Sequence, residues 1–416
     1  MAENQNKKIL RRSALRACLL LAIQLTGASA QQLPVRTYTV ADGLAHDEVA
    51  KIVQDSRGFI WFCTTEGLSR FDGYRFTNYD ARDGLSSVRV NDILESRRGS
   101  IYWLATDSGG VSRFDPLARS QSIAGQQNAA APTESGNAPP LFTNYAVGNE
   151  EQTNFVNVVY EDRAGRIWAG TSGGLFRLEV DDPAGSFQRV ELGLKARPDR
   201  VLEIYSIIED REGSLWIGTA MGLVRRLLDG RTIHYTLQPA QATDTVWALL
   251  EDDEGRLWLG HQSGVLLLRP MPAASARVGD HFLWPDTQRK RPAQGSLQHA
   301  QAGVLLNVGE ARQFTTPDGL PSDKVRALRR ASDGRLCMGR RGGGISVYDG
   351  GRFRTYATAQ GLTGRINALA EDRDGNIWVG TQTSGAIKIS RSGLLSYREA
   401  DGLGNTEIFS IFENKA

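Results

Sequence analysis

The chain has 416 residues, of which 40% are hydrophobic and 23% are charged, so it is long enough for one large domain or for two or three smaller ones. Lys and Arg number 49 against 47 Asp and Glu, which gives a formal net charge of +2. This balance excludes a global field that attracts nucleic acid or an anionic membrane, so a polyanionic partner would need a local patch.

Residues 1–30 have the features of an export signal. Basic residues come first, a short apolar run follows at 17–23, and small residues end at Ala30. The sequence predicts cleavage after Ala30 and a periplasmic or secreted mature chain. An uncleaved anchor helix is the alternative, but the apolar run is far shorter than the ~20 residues that span a bilayer.

One motif, D-x-x-G-x-x-W, recurs along the rest of the chain. The five strict copies are Asp55, Gly58 and Trp61; Asp162, Gly165 and Trp168; Asp210, Gly213 and Trp216; Asp252, Gly255 and Trp258; and Asp372, Gly375 and Trp378. Two degenerate copies are Ser96, Gly99 and Trp103, with one extra residue before the Trp, and Ala331, Gly334 and Cys337. The chain therefore contains seven repeats.

Each repeat predicts four short strands. An alternating apolar run precedes the acid, a second follows the glycine, and a third and often a fourth follow further turns. A period of ~40 to 45 residues with four strands per repeat is typical of a β-propeller. We therefore predict an all-β, seven-bladed β-propeller of four-stranded antiparallel blades over residues 34–393, with inserts at about 116–140 and 271–309, each between the third and fourth strands of its blade.

The motif residues have structural roles that need no catalysis. Asp can bond backbone N–H groups in a tight turn, Gly supplies a positive φ, and Trp offers an apolar plate to the neighbouring blade. We expect no catalytic residue, metal site or cofactor among them. Cys63 and Cys337 fall in non-adjacent repeats, so we expect two buried thiols; a disulfide is the alternative.

The two ends of the repeat array resemble each other. RTYTVADGL at 36–44 reads as a fourth strand with no blade before it, and it resembles LSYREADGL at 395–403. We predict that the N-terminal strand is the outer strand of blade seven and closes the ring. Residues 394–416 then begin a further repeat that stops before its turn; the alternative is a blade seven that uses its own strand at 394–399.

The consensus DGL-x(4)-V-x-x-I-x-E-D-x-x-G-x-x-W-x-G-T-x-x-G-L-x-R-F-D-G resembles the two-component regulator propeller repeat. The resemblance implies the periplasmic sensor part of a large bacterial receptor, which commonly has a second propeller, a β-sandwich, a membrane helix and an output module. None of these follows here, so the resemblance implies a non-enzymatic first propeller. It is either truncated or acts through a partner such as a membrane-bound histidine kinase.

Propeller geometry places a ligand at one rim, where the loops leading into the inner strands meet the turns between second and third strands. Polar side chains there suit a saccharide or a small anion. The candidates from the turns are Glu66, Asp107, Ser108, His261, Gln262, Arg340, Arg341, Gln382 and Thr383. Those from the loops are His46, Asp47, Arg89, Arg200, Lys324 and Arg365.

Blade six differs from the others because it is rich in arginine. It contains Arg326, Arg329, Arg330, Arg335, Arg340 and Arg341, followed by three glycines at 342–344. Guanidinium groups bind carboxylate, sulfate or phosphate in a bidentate manner, which favours an acidic ligand. A decayed repeat with solvated arginines is the plainer interpretation.

Two other functions are compatible with the repeats. Streptogramin lyases have similar repeats and use rim histidine and acidic residues with a metal, but the five histidines of this chain show no H-x-H or H-x-x-x-H spacing. A protein-interaction scaffold is the second, and a broad apolar patch on a rim would favour it.

Overall fold

The computed structural model describes residues 35–118, 140–179, 185–194, 201–236, 245–270, 272, 281–283, 311–320, 324–356 and 361–391. The predicted signal peptide, most of both inserts and the predicted further repeat at 394–416 lie outside these ranges. Those expectations remain predictions.

The described strands form seven sheets. In blades one to three, from the inner strand outward, they are β2 (Val49–Gln54), β3 (Ile60–Thr64), β4 (Gly67–Phe71) and β5 (Phe76–Tyr79); β6 (Val90–Glu95), β7 (Tyr102–Thr106), β8 (Gly110–Phe114) and β9 (Phe142–Tyr145); β10 (Val156–Glu161), β11 (Ile167–Thr171), β12 (Gly174–Leu178) and β13 (Gln188–Val190).

Blades four to seven continue this order. Their strands are β14 (Ile204–Glu209), β15 (Leu215–Thr219), β16 (Gly222–Arg226) and β17 (Thr232–Thr236); β18 (Val246–Glu251), β19 (Leu257–His261), β20 (Gly264–Leu268) and β22 (Ala311–Phe314); β23 (Val325–Arg330), β24 (Leu336–Arg340), β25 (Ile345–Tyr348) and β26 (Phe353–Tyr356); β27 (Ile366–Glu371), β28 (Ile377–Thr381), β29 (Ala386–Ile389) and β1 (Val35–Tyr38).

Helical structure is confined to short segments in the described ranges. The α-helix α1 (Glu151–Asn154) precedes blade three, and 3-10 turns occupy Val40–Asp42, Ala81–Asp83 and Thr316–Asp318. No helix in the described part of the chain is both long and apolar enough to cross a bilayer.

The N-terminal strand closes the ring, as predicted. β1 pairs antiparallel with β29, so that Val35 lies opposite Ile389 and Tyr38 opposite Ala386. Tyr38 also stacks on Trp378, the motif tryptophan of blade seven, with ring centres 5.4 Å apart. The inner strands contact one another in a closed circle, with β27 against β2. The seven-bladed β-propeller is therefore confirmed, and closure removes the open edge that an incomplete ring would leave.

The core of the protein lies between blades. The seven hydrophobic clusters each join one blade to the next, and each contains the motif tryptophan of its first blade or, in blade six, Cys337. The predicted role of tryptophan as an apolar plate is confirmed, and so are the two buried thiols, since Cys63 and Cys337 are free and buried. The tryptophans of the strict motifs are all 5% exposed or less: Trp61, Trp168, Trp216, Trp258 and Trp378.

The aspartate and the tryptophan of each strict motif are joined by a hydrogen bond. In blade five, Oδ1 of Asp252 accepts the backbone N–H groups of Glu254 and Arg256, both at 3.0 Å, while Oδ2 accepts the indole N–H of Trp258 at 2.9 Å. One buried carboxylate thus fixes both the turn and the orientation of the Trp258 indole. The same indole bond measures 2.8 to 2.9 Å in the other strict motifs, from Trp61 to Asp55, Trp168 to Asp162, Trp216 to Asp210 and Trp378 to Asp372.

The motif glycines have the backbone conformation that the sequence predicts. Each closes the hairpin between the first and second strands of its blade with a left-handed φ, a region in which a Cβ atom is unfavourable. The positive φ is therefore confirmed in every strict copy of the motif. The values are 95° for Gly58, 81° for Gly165, 80° for Gly213, 71° for Gly255 and 78° for Gly375.

Close approach of neighbouring blades explains the glycine of the W-x-G-T segment. A Cβ atom on Gly218 would lie 2.7 Å from the carbonyl oxygen of Val246 in the next blade, and one on Gly260 would lie 2.9 Å from that of Val325. Only a residue without a Cβ fits these positions without displacing backbone. Gly218 and Gly260 therefore allow blade four to lie close to blade five and blade five to lie close to blade six.

Hydrogen bonds between blades form a belt at the rim that carries the motif turns. The residue after the first motif position (Asp, or Ser96 and Ala331 in the degenerate copies) donates its backbone N–H to the side chain of the last residue of the next inner strand, at distances of 2.7 to 3.4 Å. The pairs are Ser56 to Glu95, Arg97 to Glu161, Arg163 to Glu209, Arg211 to Glu251, Ser332 to Glu371 and Arg373 to Gln54. Between blades five and six, the carboxylate of Asp253 pairs with Arg330 instead, so all seven junctions are tied.

Blade four has a fifth strand that the sequence did not reveal. The strand β21 (His281–Leu283) comes from the insert of blade five and pairs with β17 in parallel, with His234 opposite His281. The described part of this insert therefore covers the outer edge of the neighbouring blade.

Candidate functional site

Every inner strand contains a β-bulge at its second residue. The register shifts between Val49 and Lys51 in blade one and at the equivalent position of the other six blades. A bulge leaves its extra residue unpaired and redirects the side chain. Seven side chains, one from each blade, are thereby directed into the mouth of the central channel.

The mouth opens into a central cavity of about 500 Å³. This volume lies in the range of pockets that hold small molecules. The ring of side chains is asymmetric in chemistry, since the large and charged members are consecutive in blades four, five and six. The bulge residues that line the cavity are Ala50, Asn91, Asn157, Tyr205, Trp247, Arg326 and Asn367.

The three asparagines hold neighbouring blades together. The side-chain amide of Asn91 donates to the carbonyl oxygen of Val156 at 2.8 Å, and that of Asn157 donates to Ile204 at 3.1 Å. Asn367 makes the same contact across the ring closure, with Val49 at 3.3 Å. Because their donors are used in this way, the asparagines form a fixed wall of the mouth.

The opposite wall combines aromatic rings with a guanidinium group. The guanidinium carbon of Arg326 lies 5.5 Å from the centre of the Trp247 ring. Tyr205 donates its hydroxyl to the carboxylate of Glu203, and burial together with that bond raises the pKa of Tyr205. Trp247 is half-buried, whereas every other described tryptophan is buried.

Positive charge gathers beside this wall. Burial lowers the pKa of Arg326, and the neighbouring Arg365 and Arg341 lower it further. Arg365 lines the cavity with Arg326. Within the described ranges, none of these three guanidinium groups forms an ion pair with a carboxylate. Glu48, whose charge favours the charged form of Arg326, pairs with Arg89 instead, so this side of the mouth is a cationic sector with an excess of positive charge.

Acidic residues neutralise the arginine on the far side of the same rim. Arg89 lies 3.1 Å from the carboxylate of Glu48 and 3.6 Å from that of Asp107. Deeper in the cavity, Lys51 pairs with the buried Asp92 at 3.0 Å, and the charge of Asp92 raises the pKa of Lys51. The two sides of the mouth therefore differ in net charge.

The predicted meeting of turns and loops at one rim agrees with the structure. Backbone N–H groups of Asp107 and Gln382 donate to the carbonyl oxygens of Arg89 and Arg365, both at 2.9 Å, and Arg341 bonds Lys324 in the same way. Of these candidates, Arg89, Arg365 and Gln382 line the cavity. Glu66 and Arg341 are exposed, while Asp107 and Gln262 are half-buried at the rim.

Two predicted ligand residues lie inside the protein instead of at the surface. Arg340 and His261 are each 5% exposed, and neither lines the cavity. They occupy the position at which the other five blades have a buried Thr whose hydroxyl donates to a glycine carbonyl. Burial lowers the pKa of Arg340, and Nε of Arg340 has no hydrogen-bond partner among the described residues. Their proposed contact with a ligand remains a prediction.

Sequence reasoning missed the bulge residues Tyr205 and Trp247, and it singled out Arg326 only as one of the blade-six arginines, without its place at the bulge. The sequence did contain one signal for this position. The residue after the first apolar residue of each inner strand varies between alanine, asparagine, tyrosine, tryptophan and arginine, although the residues around it repeat. Arg200, another predicted rim residue, lies outside the described ranges. Among the described residues, no three His, Cys, Asp or Glu side chains are grouped so that they could hold a metal ion.

One family model matches four segments of the chain. The family model described as two component regulator propeller matches residues 150–173, 201–221, 241–263 and 360–383. These segments lie in blades three, four, five and seven. No curated protein matches the chain in sequence.

Solved structures share the fold at low identity. The extracellular domain of BT3049, assigned to a hybrid two component system of B. thetaiotaomicron, is 20% identical with a TM-score of 0.60, and the match covers 86% of this chain and 42% of that one. The equivalent domain of BT4673 from the same organism is 19% identical with a TM-score of 0.57, covering 86% and 40%. The chain therefore spans about two fifths of the length of these structures.

A lyase has a similar fold. Virginiamycin B lyase from Staphylococcus aureus is 12% identical with a TM-score of 0.57, and the match covers 85% of this chain and 97% of the lyase. At such identities the likeness concerns the fold alone.

Proposed function

Four blades of this ring carry the two component regulator propeller repeat, and from that premise we propose that the protein is a non-enzymatic, extracytoplasmic ligand-sensing propeller of a bacterial signal transduction system. The ligand binds at the channel mouth and is a saccharide or a small anion. The structures with the same fold include extracellular domains of hybrid two component systems, which supports this location and role.

One observation carries the proposal. All seven inner strands use the same bulge to direct a side chain into the mouth, yet the side chains on blades one, four, five and six all differ from one another and from the asparagines. A purely structural bulge would accept the same residue in each blade. Constant geometry with varied chemistry instead suits recognition of an asymmetric small molecule.

Signalling requires an output element beyond the described blades. The chain spans about two fifths of the sensor domains that share its fold, and we propose that it transmits the bound state through a membrane-bound histidine kinase or another output protein. Binding must favour one of two arrangements of the propeller and its partner, since a ligand shifts an equilibrium only through different affinities for the two states.

The test fills the mouth without touching the outer surface. Thermal unfolding of the wild type is measured against a panel of neutral and acidic saccharides, and repeated with Ala50→Trp. Leu228→Trp is the matched control, because Leu228 lies on an outer turn and is 74% exposed. A saccharide that raises the Tm of the wild type and the control but not of Ala50→Trp supports the proposal. Equal shifts in all three proteins, or none in any, contradict it.

A further inference from the structure

The cationic sector of the mouth has a composition that points to one ligand class. Trp247 offers a half-buried aromatic face, and the guanidinium of Arg326 lies 5.5 Å from the centre of that ring. Aromatic side chains stack on the apolar faces of planar or ring-shaped ligands, and guanidinium groups bind carboxylate and sulfate oxygens in pairs. The two recognition elements lie side by side at the cavity.

The positive charge of the sector exceeds the negative charge beside it in the described part of the protein. Two acids of this region are engaged elsewhere, because Glu48 pairs with Arg89 at 3.1 Å and Glu203 accepts the hydroxyl of Tyr205. Burial lowers the pKa of Arg326, and repulsion by Arg365 lowers it further. Like charges gathered in a partly buried wall cost free energy unless an anion neutralises them.

The asymmetry of the ring fixes an orientation for the ligand. The wall of asparagines on blades two, three and seven uses its side-chain amides between blades. The adaptable contacts are therefore the bulge side chains of blades four, five and six, together with Arg365 in the loop before the inner strand of blade seven. An anionic group held by blades six and seven places the attached ring over blade five.

We infer that Arg326 and Arg365 bind the carboxylate or sulfate group of an acidic sugar whose ring packs against Trp247. This inference rests on the proposed function and adds the chemical class of the ligand and its contacts. Tyr205, on the blade beyond Trp247, borders the ring of the same sugar. Arg341 lies exposed at the rim and contributes charge to a longer chain of such sugars.

The experiment uses a pair of probes that differ in one group. Methyl β-glucuronide and methyl β-glucoside share the pyranose ring, but only the first carries a carboxylate. Binding is followed by isothermal titration calorimetry and by tryptophan fluorescence of the full chain, in the wild type, Arg326→Met, Arg365→Met and Trp247→Phe. Arg269→Met is the matched control, because Arg269 is exposed and follows β20 at the opposite rim.

The expected result is selective binding of the glucuronide. Each arginine variant weakens it by at least about tenfold, consistent with the loss of a charge-assisted pair. Trp247→Phe removes most of the fluorescence change, and Arg269→Met binds like the wild type. Circular dichroism and the Tm show that each variant is folded.

Three outcomes overturn the inference. Equal affinity for the two glycosides shows that charge has no role in binding. If Ala50→Trp still abolishes that binding, the sensor proposal stands. Wild-type affinity in Arg326→Met and Arg365→Met removes the named contacts. If neither the glucuronide nor inorganic sulfate binds, with sulfate measured against chloride at equal ionic strength, the protein has no anion site at the mouth. The sensor function is decided independently, by the saccharide panel with Ala50→Trp.

Discussion

Replacing Asp252 by Ala separates the structural role of the motif acid from any role in binding. Asp252 is 5% exposed and accepts four hydrogen bonds, from the backbone N–H of Glu254 and of Arg256, from Nε of Arg256 and from the indole of Trp258. In Asp252→Ala, water can reach the turn and the Arg256 side chain. The indole N–H of Trp258, itself 5% exposed, stays buried without an acceptor.

The expected loss follows from these contacts. A buried donor left unsatisfied costs about 1–3 kcal/mol, and the turn bonds add about 1 kcal/mol, so we expect Asp252→Ala to lower the free energy of unfolding by about 2–4 kcal/mol. The matched control is Ser96→Ala in blade two. Ser96 occupies the same motif position but accepts one long bond, from Arg98 N–H at 3.3 Å, so its loss should cost under about 1 kcal/mol.

Equilibrium urea unfolding, followed by circular dichroism, measures both variants at pH 7. A double-mutant cycle with Trp258→Phe isolates the Asp252–indole bond, for which we expect a coupling of about 1–2 kcal/mol. The reasoning is refuted if Asp252→Ala costs no more than Ser96→Ala, or if the cycle shows no coupling.

The pH dependence of stability provides a second test of the Asp252 carboxylate. Burial raises the pKa of Asp252, but the hydrogen bonds from Trp258 and Arg256 outweigh burial and hold it below its ordinary value. A group whose pKa is lower in the folded state stabilises the fold above its unfolded pKa of about 3.9 and loses that contribution as the pH falls through the folded value. The stability difference between the wild type and Asp252→Ala should therefore shrink as the pH is lowered from about 5 towards 3.

Three further predictions concern closure, the inter-blade belt and the thiols. Tyr38→Ala, at the ring closure, should lower the free energy of unfolding by about 3 kcal/mol because Tyr38 is 4% exposed. The control Tyr74→Ala, at a side chain 97% exposed, should change it by under about 0.5 kcal/mol. Equal effects in urea unfolding would contradict closure through β1. Glu371→Ala removes the acceptor for Ser332, whose N–H and hydroxyl lie at 2.8 and 2.7 Å, and should cost about 1 kcal/mol, with Glu371→Gln costing less. Cys63 has no exposed surface, and burial raises its pKa well above the ordinary value. A disulfide reagent at about pH 8 should therefore modify Cys63 only after unfolding, which mass spectrometry can measure. Rapid labelling of the native protein would contradict the place of Cys63 between blades.

The ring was predictable from the sequence because its signals are local. The Asp, Gly and Trp of each motif fall within one hairpin, and their recurrence gives the number of blades. Closure was also predictable, since residues 36–44 resemble a fourth strand and have no blade to join.

The site was harder to predict because it depends on relations between strands. Nothing local to Tyr205 or Trp247 shows that a bulge redirects these side chains, since a bulge is defined by the partner strand. Arg340 was expected in the turn after the second strand, yet it is the last residue of that strand, β24, and is buried. The parallel pairing of β21 with β17 joins segments of different blades, for which the chain has no short-range signal.

The pairing of β1 with β29 determines the order in which the protein can fold. During synthesis β1 emerges first and finds no partner, while six of the seven blade interfaces can assemble one after another as their strands appear. The seventh requires the longest loop closure in the fold and therefore comes last. Until then every nascent intermediate presents an apolar blade face at each end and a free strand, so the window of vulnerability to aggregation and proteolysis lasts until translation has passed Ile389.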